Sequence, residues 1–249
     1  MVLVVPSSHT FLSCHILQTK FRRLGVLGKM GAMLVRMVLP TVSCLAFLPT
    51  ISIAAHRRFH LEAMVYFFTM FFISFYHICD GLGFISICIM RSELLEYFST
   101  FGISLSIWVT LIAVGEFQEP AQLGTILAGT LIIAVRTYEN SWGYGVYAGP
   151  IITAIILLSI KFGRKMVKTR AVVPQKRVYT HQLAPGLCFL ILAFTLRFYF
   201  QNWDYTYVHS AFHCSLAAAC VLLLPEKNKS VTANRPPEQL TCCTLCCCG

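Results

Sequence analysis

Charge is scarce in this chain: only 12% of its 249 residues are Asp, Glu, Lys or Arg. An ordinary soluble domain carries about a quarter. A water-soluble globule is therefore excluded. The formal net charge is +10, but no soluble basic domain is present to place it on nucleic acid, and no nucleic-acid partner is expected. Catalytic signatures are missing as well, with no GxSxG, no P-loop and no paired-carboxylate arrangement. The stretch "GYGVYAGP" is rich in glycine but follows no strand, so a turn and close helix packing explain it.

Hydrocarbon is what the chain has in quantity. Hydrophobic residues make up 57% of it, in blocks long enough to cross a bilayer at about 20 residues per helix. Seven spans are expected, at about 37–55, 61–79, 93–115, 121–138, 147–162, 183–200 and 207–224. Such blocks far exceed a transmembrane strand of roughly ten residues, and helices satisfy their own backbone groups in lipid. The fold class is therefore all-α, a polytopic membrane protein of seven transmembrane helices. Its expected parts are a disordered extension at 1–29, the helical domain at 30–225 and a cytosolic Cys-rich tail at 226–249.

Basic residues set the orientation. With span 1 running inward, the cytosolic side holds Arg57, Arg58, Lys161, Arg164, Lys165, Lys168, Arg170, Lys176, Arg177, Lys227, Lys229 and Arg235. The opposite side holds Arg91 and Arg136. That bias puts the N-terminus outside and the C-terminus in the cytosol. Residues 1–29 disagree, since Lys20, Arg22, Arg23 and Lys29 then lie outside. That stretch is neither a clean signal peptide nor long enough for a span, and Met30 with "GAMLVRMVLP" would serve as an alternative start. The sequon at Asn228 falls on the cytosolic side and is expected to stay unmodified.

Cysteines fall into two groups. Cys14, Cys44, Cys79, Cys88, Cys188, Cys214 and Cys220 are scattered singly and read as small buried hydrophobes. Cys79 and Cys88 flank the second outer loop and could pair, which sequence leaves open. The other five, Cys242, Cys243, Cys246, Cys247 and Cys248, crowd the last eight residues. Thiols on a polar, proline-containing segment beside the cytosolic leaflet are candidates for palmitoylation. A Cys-rich metal tract and a prenylation box are the alternatives, the latter disfavoured by the final glycine.

Histidine carries the remaining signal. In "DYTYVHSAFHCSL", His209 and His213 are four apart and share one helix face. His77 lies near the outer end of span 2, at the depth of that pair if spans 2 and 7 are neighbours. Three imidazoles with an open position form a zinc pattern, with Asp80 and Asp204 placed to orient a ligand or hold a water. The competing reading is hydrogen-bonding glue between helices.

Longer stretches carry a resemblance. "LPTVSCLAFLPTISIAAHRRFHLEAMVY", "LEYFS", "AVRTYENSWGYGVYAGPI", "PGLCF", "NWDYTYVHSAFHC" and "TLCC" resemble the muscle-specific family required for myoblast fusion, over about residues 30–249. That family is similar in turn to a seven-span group of alkaline ceramidases and adiponectin receptors. The wider group implies zinc on His77, His209 and His213, the trio reached above. It also places a serine where this chain has Ile73, with Ser74 one place on, and an aspartate near Cys88. The resemblance thus implies a metal that is structural and a chain that is not a hydrolase; a zinc amidase acting on a ceramide-like lipid is the rival. It further implies the plasma membrane and Golgi as locations and action at lipid mixing. Implied partners are the lipid bilayer, a small muscle fusion micropeptide of the myomerger (myomixer) type and a second copy in a homodimer. Cys246 and Cys247 become the principal acylation sites. Trp142, Trp203 and nearby tyrosines in "ENSWGYGVY" and "QNWDYTY" suit interfacial depth.

Overall fold

The computed structural model describes residues 35, 38–82, 88, 90–141, 143–170, 178–200 and 203–228. The extension at 1–29, Trp142 and the tail thiols lie outside the described residues. Among those described, seven helices are long and apolar enough to cross a membrane, and none of the chain is strand. They are α1 (Val38–His56), α2 (His60–Leu82), α3 (Ser92–Val114), α4 (Glu119–Glu139), α5 (Tyr144–Thr169), α6 (Tyr179–Phe198) and α7 (Tyr205–Leu223).

Two helices outrun their expected ends. α5 continues to Thr169, past the expected boundary at 162, because "GRKMVKT" is made largely of good helix formers whose charges can leave the membrane without ending the helix. α6 starts earlier, at a π-helical turn, Tyr179–Leu183, that precedes the α-helical Ala184–Phe198. Periodicity of 3.6 does not register such a turn.

α3 is the axis of the bundle. In its most apolar window 83% of residues are buried, against 22% for α4, α5 and α6. It packs on α2, α4, α5 and α7. Close contact needs small side chains, and α3 supplies Ser99, Thr100, Gly102, Ser104, Ser106 and Thr110 along its buried faces. At Gly102 an added Cβ would stand 3.0 Å from Thr69 Oγ1 and 3.1 Å from Thr69 Cα. The Thr69 hydroxyl donates there to Gly102 O at 2.9 Å and lies 2.7 Å from Ser106 Oγ. Tyr66 OH lies 2.6 Å from Thr110 Oγ1, and Ser104 Oγ donates to Val146 O of α5 at 2.7 Å. The outer helices turn Met64, Phe67, Leu131, Ile132 and Ile156 outward, which is the surface that lipid requires.

At one end of the bundle basic side chains close helix termini. α1 ends with Arg58 left-handed (φ 65°), Arg58 N donating to Ala55 O and Phe59 N to Ala54 O. This is a Schellman motif. Arg57 Nη1 donates to Leu224 O at 2.7 Å and Val221 O at 3.3 Å, capping α7. Lys161 Nζ does the same for α3, donating to Gly115 O and to Glu116 O at 2.6 Å, above the Phe117 ring. At the opposite end Cys79 and Cys88 are joined in a disulfide. This is the pairing that the sequence leaves open, and it ties residue 88 to the end of α2.

Candidate metal centre

α2 and α7 are not among the closely packed helix pairs. Each packs instead on α1 and α3, which hold them side by side at the distance long side chains can span. That spacing suits imidazoles. His209 and His213, one turn apart, have ring centroids 4.5 Å apart, and His77 of α2 stands 4.9 Å and 5.2 Å from them. All three are buried. The expected trio is thus brought together, across a gap rather than a helix contact.

Polar atoms at this depth need partners. The Nε2 atoms of His77 and His213 are buried and make no hydrogen bond. Imidazole nitrogens with free lone pairs suit zinc, and their pairing by protein bonds would have suited interhelical glue. The residues therefore fit a zinc ion. His213 Nδ1 faces α1, 3.0 Å from Ser43 Oγ, which also donates to Pro40 O at 2.7 Å. An imidazole ligand held through its other nitrogen is the usual way such a ring is oriented.

The donor atoms that converge are a different three from those expected. One atom each of Cys44, His77 and His213 lies within 4.8 Å of the other two. Cys44 Sγ is 3.5 Å from His213 Nδ1 and fully buried. His209 is outside that set, its ring stacked on Tyr205 at 4.8 Å and 15°. Reading Cys44 as an inert small hydrophobe is therefore corrected: its thiol points at an imidazole. Nothing in sequence spacing shows this, because Cys44 is on a separate helix from every histidine of the cluster.

Asp204 does other work. Asp204 is exposed and caps α7, its Oδ1 accepting from Thr206 N at 3.3 Å. An Asp just before a helix satisfies the first free N–H groups, so it is held at the helix end and away from the rings. Asp80 is exposed at the end of α2. The acid that faces the histidines is Glu96 of α3, and beside it stand Arg197, Tyr76 and Tyr205. Arg197 is buried; a charge inside the block "LILAFTLRFYF" was a legible sign of it. The cleft they enclose has about 20 Å³ of room for a water-sized sphere, enough for a water or an ion. Ile73, where the hydrolase-like group has a serine, lines this cleft, and Cys88 is committed to the disulfide.

Comparison with known proteins bears on the same residues. A family model described as "Protein of unknown function (DUF3522)" matches residues 32–214, which include the whole centre. Protein myomaker of Homo sapiens is 53% identical over 218 residues, 88% of this chain and 99% of its own length. The chain belongs to the myomaker family. Protein myomaker of Danio rerio is 51% identical over 219 residues, 88% of this chain and all of the relative. Beyond myomakers, Transmembrane protein 8B of Homo sapiens is 32% identical over 202 residues, 80% of this chain but 43% of that longer protein. Similarity to that longer protein thus covers less than half of its length, while myomakers are matched along nearly all of theirs.

Proposed function

We propose that this chain is a multi-pass plasma-membrane protein that drives myoblast–myoblast fusion at the lipid-mixing step. The observation that carries the reading is the match along nearly the whole length of proteins named myomaker. Cell surface and Golgi are its locations, and a small micropeptide of the myomerger type cooperates with it after lipids mix. The basic end, with Arg57, Arg58 and Lys161, faces the cytosol. The disulfide end faces outward, in keeping with the oxidising side on which disulfides persist. Exposed Tyr138, Tyr144, Tyr199, Trp203 and Tyr207 gather at that end, where amphipathic rings sit among lipid headgroups. They give the outer leaflet a place to be disturbed. Zinc on the histidines supplies a tie between α2 and α7 and no hydrolytic chemistry, and palmitate on the tail thiols holds the C-terminus to the inner leaflet.

The test is mixing of two labelled populations of fusion-deficient myoblasts, both expressing this chain. Transfer of membrane dye and formation of multinucleate cells are expected. Surface-stained cells that exchange no lipid would overturn the proposal. An amidase is disfavoured by Ile73, which stands where the hydrolase-like group has a serine; purified protein should release no product from labelled ceramides.

A further inference from the structure

We propose that Cys44 is itself a metal ligand, its thiolate joining His77 and His213 at a zinc site that includes sulfur. This rests on the zinc reading of the histidines and goes beyond it, because no hydrolase-like pattern places a ligand on α1. Three observations carry it. First, one donor atom each of Cys44, His77 and His213 lies within 4.8 Å of the other two, so the thiol belongs to the converging set. Second, the unbonded Nε2 atoms of His77 and His213 are buried beside it, so the cluster points to a ligand from two helices. Third, the thiol proton can be given up without orphaning its acceptor. Cys44 Sγ donates to Pro40 O at 3.1 Å, but Ser43 Oγ donates to the same carbonyl at 2.7 Å. On binding, the sulfur–metal bond forms and the proton leaves to water.

Charge favours the same arrangement. A divalent ion held by neutral imidazoles alone leaves two positive charges buried beside Arg197, which lines the same cleft. One thiolate removes half of that ion's excess charge, where uncompensated buried charge is expensive.

The experiment is X-ray absorption at the zinc edge on the full chain with its five tail cysteines replaced by serine, so that the tail contributes no sulfur. One sulfur at about 2.3 Å alongside nitrogens near 2.1 Å is expected. Zinc bound by nitrogen and oxygen alone overturns the role of Cys44 and leaves the histidine site standing. No zinc at all overturns both. Cys44→Ser in that background should remove the sulfur signal, and the thiolate charge-transfer band of the cobalt-substituted protein with it. Its zinc affinity should fall by more than the roughly 10–100-fold that loss of an outer hydrogen-bond partner costs. A sulfur signal that survives the substitution belongs to another cysteine and overturns the proposal; if the variant fails to fold, the parent spectrum decides alone.

Discussion

Arg57 of α1 reaches across to α7 and places its guanidinium on the carbonyl of Leu224, 2.7 Å away. A helix end whose carbonyls have no partner inside the helix is thereby closed by a neighbour's charge. Arg57→Ala should cost about 1.5–3 kcal/mol, the usual worth of a hydrogen bond to a charged group. Thermal unfolding in detergent checks this, and Arg57→Lys, with a single point of donation, should fall between. An unchanged midpoint for the alanine variant would show that water caps α7 equally well.

The metal centre separates the histidines from the aspartates. His77→Ala or His213→Ala should lower zinc content and thermal stability together, by several kcal/mol, because metal binding energy is also folding energy. Asp204→Ala should cost only about 1 kcal/mol, as a lost helix cap, with zinc content intact. Metal analysis and unfolding on the same samples give both numbers. Zinc lost from Asp204→Ala would return that residue to the centre.

Gly102 tests the packing of α3. A valine there meets Thr69 within about 3.1 Å at its first carbon, against backbone that cannot withdraw. Overpacking of this kind costs about 1–3 kcal/mol. Gly124, whose added carbon would meet nothing within 4 Å, is the control. Unfolding of the two valine variants in detergent should show a loss confined to Gly102→Val.

Orientation is open to staining. An epitope after Gly249 should be reached only in permeabilised cells, and one in the 139–146 loop on intact cells. A membrane-impermeant reductant should open the Cys79–Cys88 bond from outside, read by mass tagging of the freed thiols. The reversed pattern would turn the protein over and move the centre to the cytosolic leaflet.

The tail gives a chemical prediction. Acyl exchange on the full chain should detect lipid, and Cys246→Ser with Cys247→Ser should remove much of it, shift protein from surface to internal membranes and reduce cell mixing. Wild-type protein without acyl groups would refute it.

Hydrophobic run length made the helices legible, and all seven lie within a few residues of where the blocks place them. It could not show the π-helical start of α6 or the polar continuation of α5, since both depend on local geometry and on where charge leaves the membrane. The histidines were legible because ionisable groups are rare at that depth. Cys44 was not, since a thiol inside a span looks like any small apolar residue until its neighbour is known. Asp204 misled for the opposite reason: proximity in sequence to His209 placed it near the rings, but a helix end fixes its side chain elsewhere.

α1 is bonded to α7 near both of its ends, with Thr50 Oγ1 donating to Ala217 O between them. Ser43 and Cys44 meet His213 near one end, and Arg57 meets Leu224 at the other. The two points are about 20 Å apart along α1 at 1.5 Å per residue. Sliding one helix past the other by a single turn, about 5.4 Å, would break both at once. The pair therefore behaves as one stiff rod with its ends pinned.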